Sequence, residues 1–175
     1  MRAISKCVAG ATFVALSVFI GTDAARSARQ MPDFDWRTFT IPDFGTQVEY
    51  PAGVFDVSEG KAEKGVGERF STSDGRALLT IYSRANEAGD TPASYLKANL
   101  RQPGSSLDYE RITPTFFAIS TVRGGLVYYS RCNFSSVGAG AMHCFDLIYP
   151  QREERAWDAI VTRISRSLRP LAGGR

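Results

Sequence analysis

Apolar and polar positions alternate in short runs along most of the chain, broken by glycine, proline and aspartate, and change to a helical period only twice. Trp36 to Thr40 and Thr46 to Tyr50 read as strands, the second stopped by Pro51. Glu68 to Thr72 and Ala77 to Ser83 flank Ser73-Asp74-Gly75-Arg76, where Asp-Gly between two strand patterns predicts a hairpin. Leu107 to Thr113 and Phe116 to Val122 are further strands, and Arg123-Gly124-Gly125 turns the chain into a last pair, Leu126 to Phe134 and Met142 to Tyr149. Ser58 to Gly67 carries charge and glycine without apolar period and is expected to be a solvated loop.

The first helical stretch opens at Thr91-Pro92, a capping residue followed by a proline at the first helical position, with Tyr95, Leu96 and Leu100 at helical spacing. The second begins after Pro150 and runs to about Leu168. Its Trp157, Ile160, Val161, Ile164 and Leu168 fall within an arc of about 100°. Such a helix needs a sheet to lie on. The last hairpin is apolar on both faces, with Val127, Tyr129, Phe145, Leu147 and Tyr149 on one and Tyr128, Phe134, Met142 and Ile148 on the other. The expected fold class is therefore α+β: a mainly antiparallel sheet covered by helices on both faces, an α/β/α sandwich.

The N-terminus changes the picture. Met1 to Lys6 is short and basic, Cys7 to Gly21 is an apolar or small-residue run, and Thr22-Asp23-Ala24 places small side chains at a peptidase site. That order predicts a signal peptide over residues 1–24. The apolar run, about 15 residues, is short of the roughly 20 that cross a bilayer as a helix, so no stable membrane span is expected after cleavage. A leader kept as an anchor is the alternative. Residues 25–35 read as a flexible leader, 36–169 as a single domain and 170–175 as a C-terminal tail.

Of three cysteines, Cys7 falls in the leader, leaving Cys132 and Cys144 for an oxidising compartment. Centring the last hairpin on Gly138 sets the two directly opposite each other, where cross-strand side chains meet. The prediction is a structural disulfide, because a redox-active pair usually has two intervening residues and a helix N-terminus. Losing Arg2, Lys6 and Asp23 with the leader takes the 21 basic and 18 acidic groups to 19 and 17, a net charge of +2. So small a charge gives no reason to expect nucleic acid as partner.

Candidate chemistry is sparse. The single histidine, His143, is expected on a strand near the hairpin tip, with its imidazole in water, and no Gly-x-Ser-x-Gly nucleophile elbow accompanies it. Too few ligand types remain for a metal site, no phosphate loop or nucleotide fingerprint is present, and no cofactor or catalytic residue is assigned. Asp108, Glu110 and Asp146 lie on strands and are the only basis for a carboxylate enzyme. Arg152, Arg155, Arg163 and Arg166 fall within an arc of about 80° opposite the apolar face of the last helix. That stripe is the possible partner-binding surface, suited to an acidic envelope protein or an anionic polymer.

The order of elements resembles one family. Phe44-Gly45-Thr46-Gln47-Val48-Glu49-Tyr50-Pro51, a Gly-rich loop, the Asp-Gly hairpin, a helix at Pro92–Leu100, meandering strands and a closing helix with Trp157 and Ile164–Leu168 are similar to the PsbP-like proteins. These comprise the photosystem II extrinsic subunit and its bacterial relatives. The resemblance implies an α-β-α sandwich and a non-catalytic accessory or binding role. Together the expectations are an exported, periplasmic or secreted accessory or binding domain of the bacterial envelope. The alternatives are a small periplasmic hydrolase with a carboxylate site and a carrier of a small apolar ligand.

Overall fold

The computed structural model describes residues 34–100, 107–135 and 140–171. The signal peptide, nearly all of the leader, the hairpin tip around Gly138 and most of the C-terminal tail lie outside the described residues.

Among the described residues the chain forms ten strands and two α-helices. In chain order they are β1 (Trp36–Ile41), β2 (Thr46–Pro51), β3 (Val57–Lys61), β4 (Val66–Ser71), β5 (Leu78–Ala85), α1 (Pro92–Asn99) and β6 (Tyr109–Ile112). Then come β7 (Phe116–Arg123), β8 (Leu126–Ser135), β9 (Ala141–Pro150), α2 (Glu154–Ser167) and β10 (Arg169–Pro170). Seven strands form one antiparallel sheet in the order β3-β4-β5-β9-β8-β7-β6, and β1, β2 and β10 form a second, small sheet.

Strand β9 is central, and its sequence says why. Phe145, Leu147 and Tyr149 point into one core while Met142 and Cys144 point into another, so both faces are buried. The first core adds Leu79 and Ile81 of β5, Val127 of β8, Ile41 and Val48 of the small sheet, and Trp157, Ile160, Ile164 and Leu168 of α2. The apolar arc read from the sequence is thus the buried face of α2. The second core gathers Tyr82, Phe117, Ile119, Cys132, Met142, Cys144 and Leu96 of α1.

Local chemistry sets the helix ends. Thr91 caps α1 by accepting from the Ser94 backbone N–H at 3.2 Å, while the Ser94 hydroxyl accepts from the Thr91 N–H at 3.0 Å. The last helix starts later than the sequence suggests: Gln151–Glu153 form a 3₁₀ turn, and α2 begins at Glu154. Glu153 is turned away to pair with Arg76 of the Asp-Gly hairpin.

The segment expected to be a loop is the second difference. Val57–Lys61 is an edge strand, paired with β4 across an irregularity between Ser58 and Gly60. All five of its residues are exposed, so no apolar alternation marks it. Its backbone ladder is reinforced by Ser58 to Glu68 and Ser71 to Glu59 hydrogen bonds, both 2.6 Å. Gly67 in β4 is required, since a Cβ there would run into the Ile81 carbonyl oxygen of β5.

Candidate functional site

The predicted register holds. Cys132 is the β8 partner of Cys144 on β9, and the two form a disulfide with Cα atoms 4.1 Å apart. Both are fully buried, so the bridge is a core staple with no path for an exchanging thiolate.

The four arginines of the stripe are all exposed, but two of them are engaged by carboxylates. Arg163 is exposed but tethered to the small sheet, its Nε donating to Glu49 of β2 at 2.9 Å and its guanidinium lying 4.2 Å from the Trp36 ring centroid. Arg152 sits on the 3₁₀ turn beside Glu153, off the helix proper. Arg155 and Arg166 remain exposed on α2 without an ion pair among the described residues. They share a face but are separated by about 16 Å along the axis, too far for one small anion.

His143 is a correction. It does lie opposite Asn133 as expected, but it is 1% exposed, not wet. Thr46 Oγ1 is 2.6 Å from its Nδ1 and 2.6 Å from Ser83 Oγ, and neither hydroxyl residue is exposed at all. This network ties β2 of the small sheet to β5 and β9 of the large one. Nε2 is buried with no hydrogen-bond partner among the described residues, and desolvation pushes the imidazole below its usual pKa, keeping it neutral. A hydroxyl beside an imidazole resembles a nucleophile and its base, but no substrate reaches atoms so deeply enclosed.

Asp146 and Glu110 share a face of the large sheet without converging, and Asp108 precedes β6 and does not lie on a strand. Asp146, Ser130, Ile119 and Glu110 stand in one row across β9, β8, β7 and β6, so Asp146 and Glu110 are three strands, about 14 Å, apart. Asp108 is used locally, accepting from the Val122 N–H at 2.7 Å. Among the described residues no three His, Cys, Asp or Glu side chains come together in a way that could hold a metal ion.

What that face does carry is a groove of about 400 Å³. Its floor is two rows of side chains, Thr121–Tyr128–Ile148 and Ile119–Ser130–Asp146, with Leu100 and Leu107 along one wall. Asp146 accepts from Ser130 Oγ at 2.6 Å and pairs with Lys64 at 2.7 Å. Lys64 also lies 5.9 Å from the Tyr82 ring, whose hydroxyl pKa is pushed up by burial and by the Asp146 charge. Arg123 stacks 5.2 Å over Tyr128 at the other rim. Apolar walls with a few fixed polar groups, in this size range, suit a small ligand. The groove has no signal in the sequence, because its lining comes from six separate segments that only the fold brings together.

Among solved structures the chain is similar to cyanobacterial PsbP (CyanoP) from Synechocystis sp. PCC 6803, with a TM-score of 0.55. The likeness covers 86% of this chain and 99% of that one, at 10% sequence identity. No protein-family model and no curated protein sequence matches the chain. At so low an identity the likeness establishes the fold alone: this is an α+β domain of PsbP-like fold with a Cys132–Cys144 disulfide.

Proposed function

We propose that the protein is an exported, non-catalytic binding or accessory domain of the bacterial envelope, made with a signal peptide over residues 1–24 and working in the periplasm or outside the cell. The observation that carries the proposal is the fully buried Cys132–Cys144 bridge at the centre of the sheet, since such bridges form and persist outside the reducing cytosol. In the same proposal α1 and α2 lie on opposite faces of the large sheet as an α/β/α sandwich. The alternation of the two cores along β9 supports that layering. Its partner-binding surface is the part of the α2 stripe without an ion pair among the described residues, Arg155 and Arg166, directed at an acidic envelope protein or an anionic polymer.

The test is crosslinking of the protein in its native envelope, followed by capture with wild type and with R155E/R166E. Loss of a specific crosslinked species in the variant supports the stripe as the contact, and an unchanged pattern refutes it. Arg163 is a poor choice here, because reversing it also breaks the Glu49 pair.

The groove favours a second reading, a carrier of a small amphipathic ligand. Its test is a fluorescent apolar anion such as anilinonaphthalene sulfonate. Binding by the wild type that is abolished in Thr121→Trp, a groove-filling change at a half-buried position, would support a ligand site there. Equal binding by both would remove it. The hydrolase alternative has little geometric support, with two of its three carboxylates so far apart and Asp146 already neutralised by Lys64.

A further inference from the structure

The opposite face of the large sheet, at its β6 edge, holds a pair of arginines that neither the groove nor the α2 stripe uses. Two rows of the register define the place. Arg111, Ala118 and Arg131 stand side by side across β6, β7 and β8, and Tyr109, Ser120 and Tyr129 form the next row. In each row a small residue on β7 separates two long ones, so the flanking side chains lean together over it, and Ala118 is buried beneath them.

Phe116 fixes both guanidiniums. Arg131 lies 4.1 Å and Arg111 5.5 Å from the same ring centroid, which puts the two cationic carbons within about 10 Å of each other. Arg131 is further oriented by donating from Nε to Asn133 Oδ1 at 3.1 Å, and Asn133 is itself anchored by donating to the Leu168 carbonyl at 2.8 Å. Tyr129 is held by a 3.0 Å hydrogen bond with Ser165 of α2.

What sets this cluster apart is a partly buried guanidinium facing a like charge. Arg37, Arg69, Arg76 and Arg163 each pair with a carboxylate. Arg131 and Arg111 pair with none among the described residues, although Arg131 is half-buried. The charged or ionisable groups that bear on Arg131 are Tyr129, Arg111 and Tyr109, and burial pushes its guanidinium pKa down. Desolvating a guanidinium beside a like charge, without a counterion, costs free energy that a bound anion would recover.

We propose that Arg111 and Arg131, braced on Phe116 and flanked by Tyr109 and Tyr129, form a recognition site for a phosphate-class dianion, either free or as a phosphate monoester. Two cations match a charge near −2, and the guanidinium forks supply several N–H donors aimed at oxygen acceptors. Its two arginines belong neither to the groove lining nor to the α2 stripe.

The experiment is calorimetric titration of the protein with inorganic phosphate, against sodium chloride at matched ionic strength. Wild type is predicted to bind phosphate and not chloride. Arg111→Gln and Arg131→Gln are each predicted to weaken binding about tenfold or more, as expected for loss of hydrogen bonds to a charged group. Arg111 is exposed on an edge strand, so its variant keeps the fold, checked by an unchanged thermal midpoint without phosphate. Arg84→Gln removes the same net charge at an exposed position elsewhere and is predicted to bind like wild type. A second arm uses vesicles containing phosphatidic acid: arginine-dependent binding to them as well assigns a lipid headgroup, and binding to phosphate alone assigns a soluble ligand. Equal affinity in Arg111→Gln and wild type, equal loss in Arg84→Gln, or no arginine-dependent binding in either arm would overturn the proposal.

Discussion

Single residues divide into those whose role alternation reveals and those whose role appears only when distant strands meet. His143 is of the second kind. Alternation placed it correctly opposite Asn133, but nothing local announced Thr46, 97 residues away, as its hydrogen-bond partner. Its folded-state pKa is lowered by burial, so the unfolded chain binds the proton more tightly. The stability contributed by the neutral imidazole is complete above the unfolded value near 6.5 and is lost as pH falls below it. Denaturant unfolding from pH 7.5 downward should show stability falling by up to about 1.4 kcal/mol per pH unit below the unfolded pKa, ending at the folded pKa. Replacement of His143 by Gln should flatten that segment of the profile. An unchanged slope in the variant would mean that another group titrates there.

At the scale of elements, α2 and the β8–β9 hairpin were the most legible parts of the chain, for one physical reason. Each buries a full apolar face, and burial forces the periodicity that a sequence displays. Ile164, fully buried at the centre of that helix face, should cost about 2–5 kcal/mol when cut to alanine. Arg155→Ala on the exposed side should change stability by less than about 0.5 kcal/mol, as usual for surface positions. Thermal or urea unfolding distinguishes the two directly. Strand β3 was illegible for the converse reason, as an edge strand with no buried side chain has no pattern to show. Its partner β4 nonetheless needs Gly67, and Gly67→Ala should destabilise the protein by displacing β5 backbone. Urea unfolding no easier than wild type would show that the two strands can shift apart without cost.

For the whole molecule, the PsbP-like fold could be read from the order of elements, whereas the surfaces that could bind something could not. Four arginines at helical spacing looked like a uniform stripe, yet Glu49 and Trp36 engage Arg163 in surface contacts. The groove and the Arg111–Arg131 pair belong to rows that run across strands, and a row is invisible until the register is known. The disulfide is the exception, because hairpin symmetry alone set Cys132 against Cys144.

That bridge also connects the structure to where the protein works, and its state in native cells is the most direct test. The protein should be recovered from the envelope fraction, denatured without reductant to expose the core, treated with maleimide and weighed intact by mass spectrometry. The predicted result is a chain beginning at Ala25 with neither Cys132 nor Cys144 labelled until a reductant is added. A chain beginning at Met1 with both of those thiols labelled at once would contradict export and the staple together.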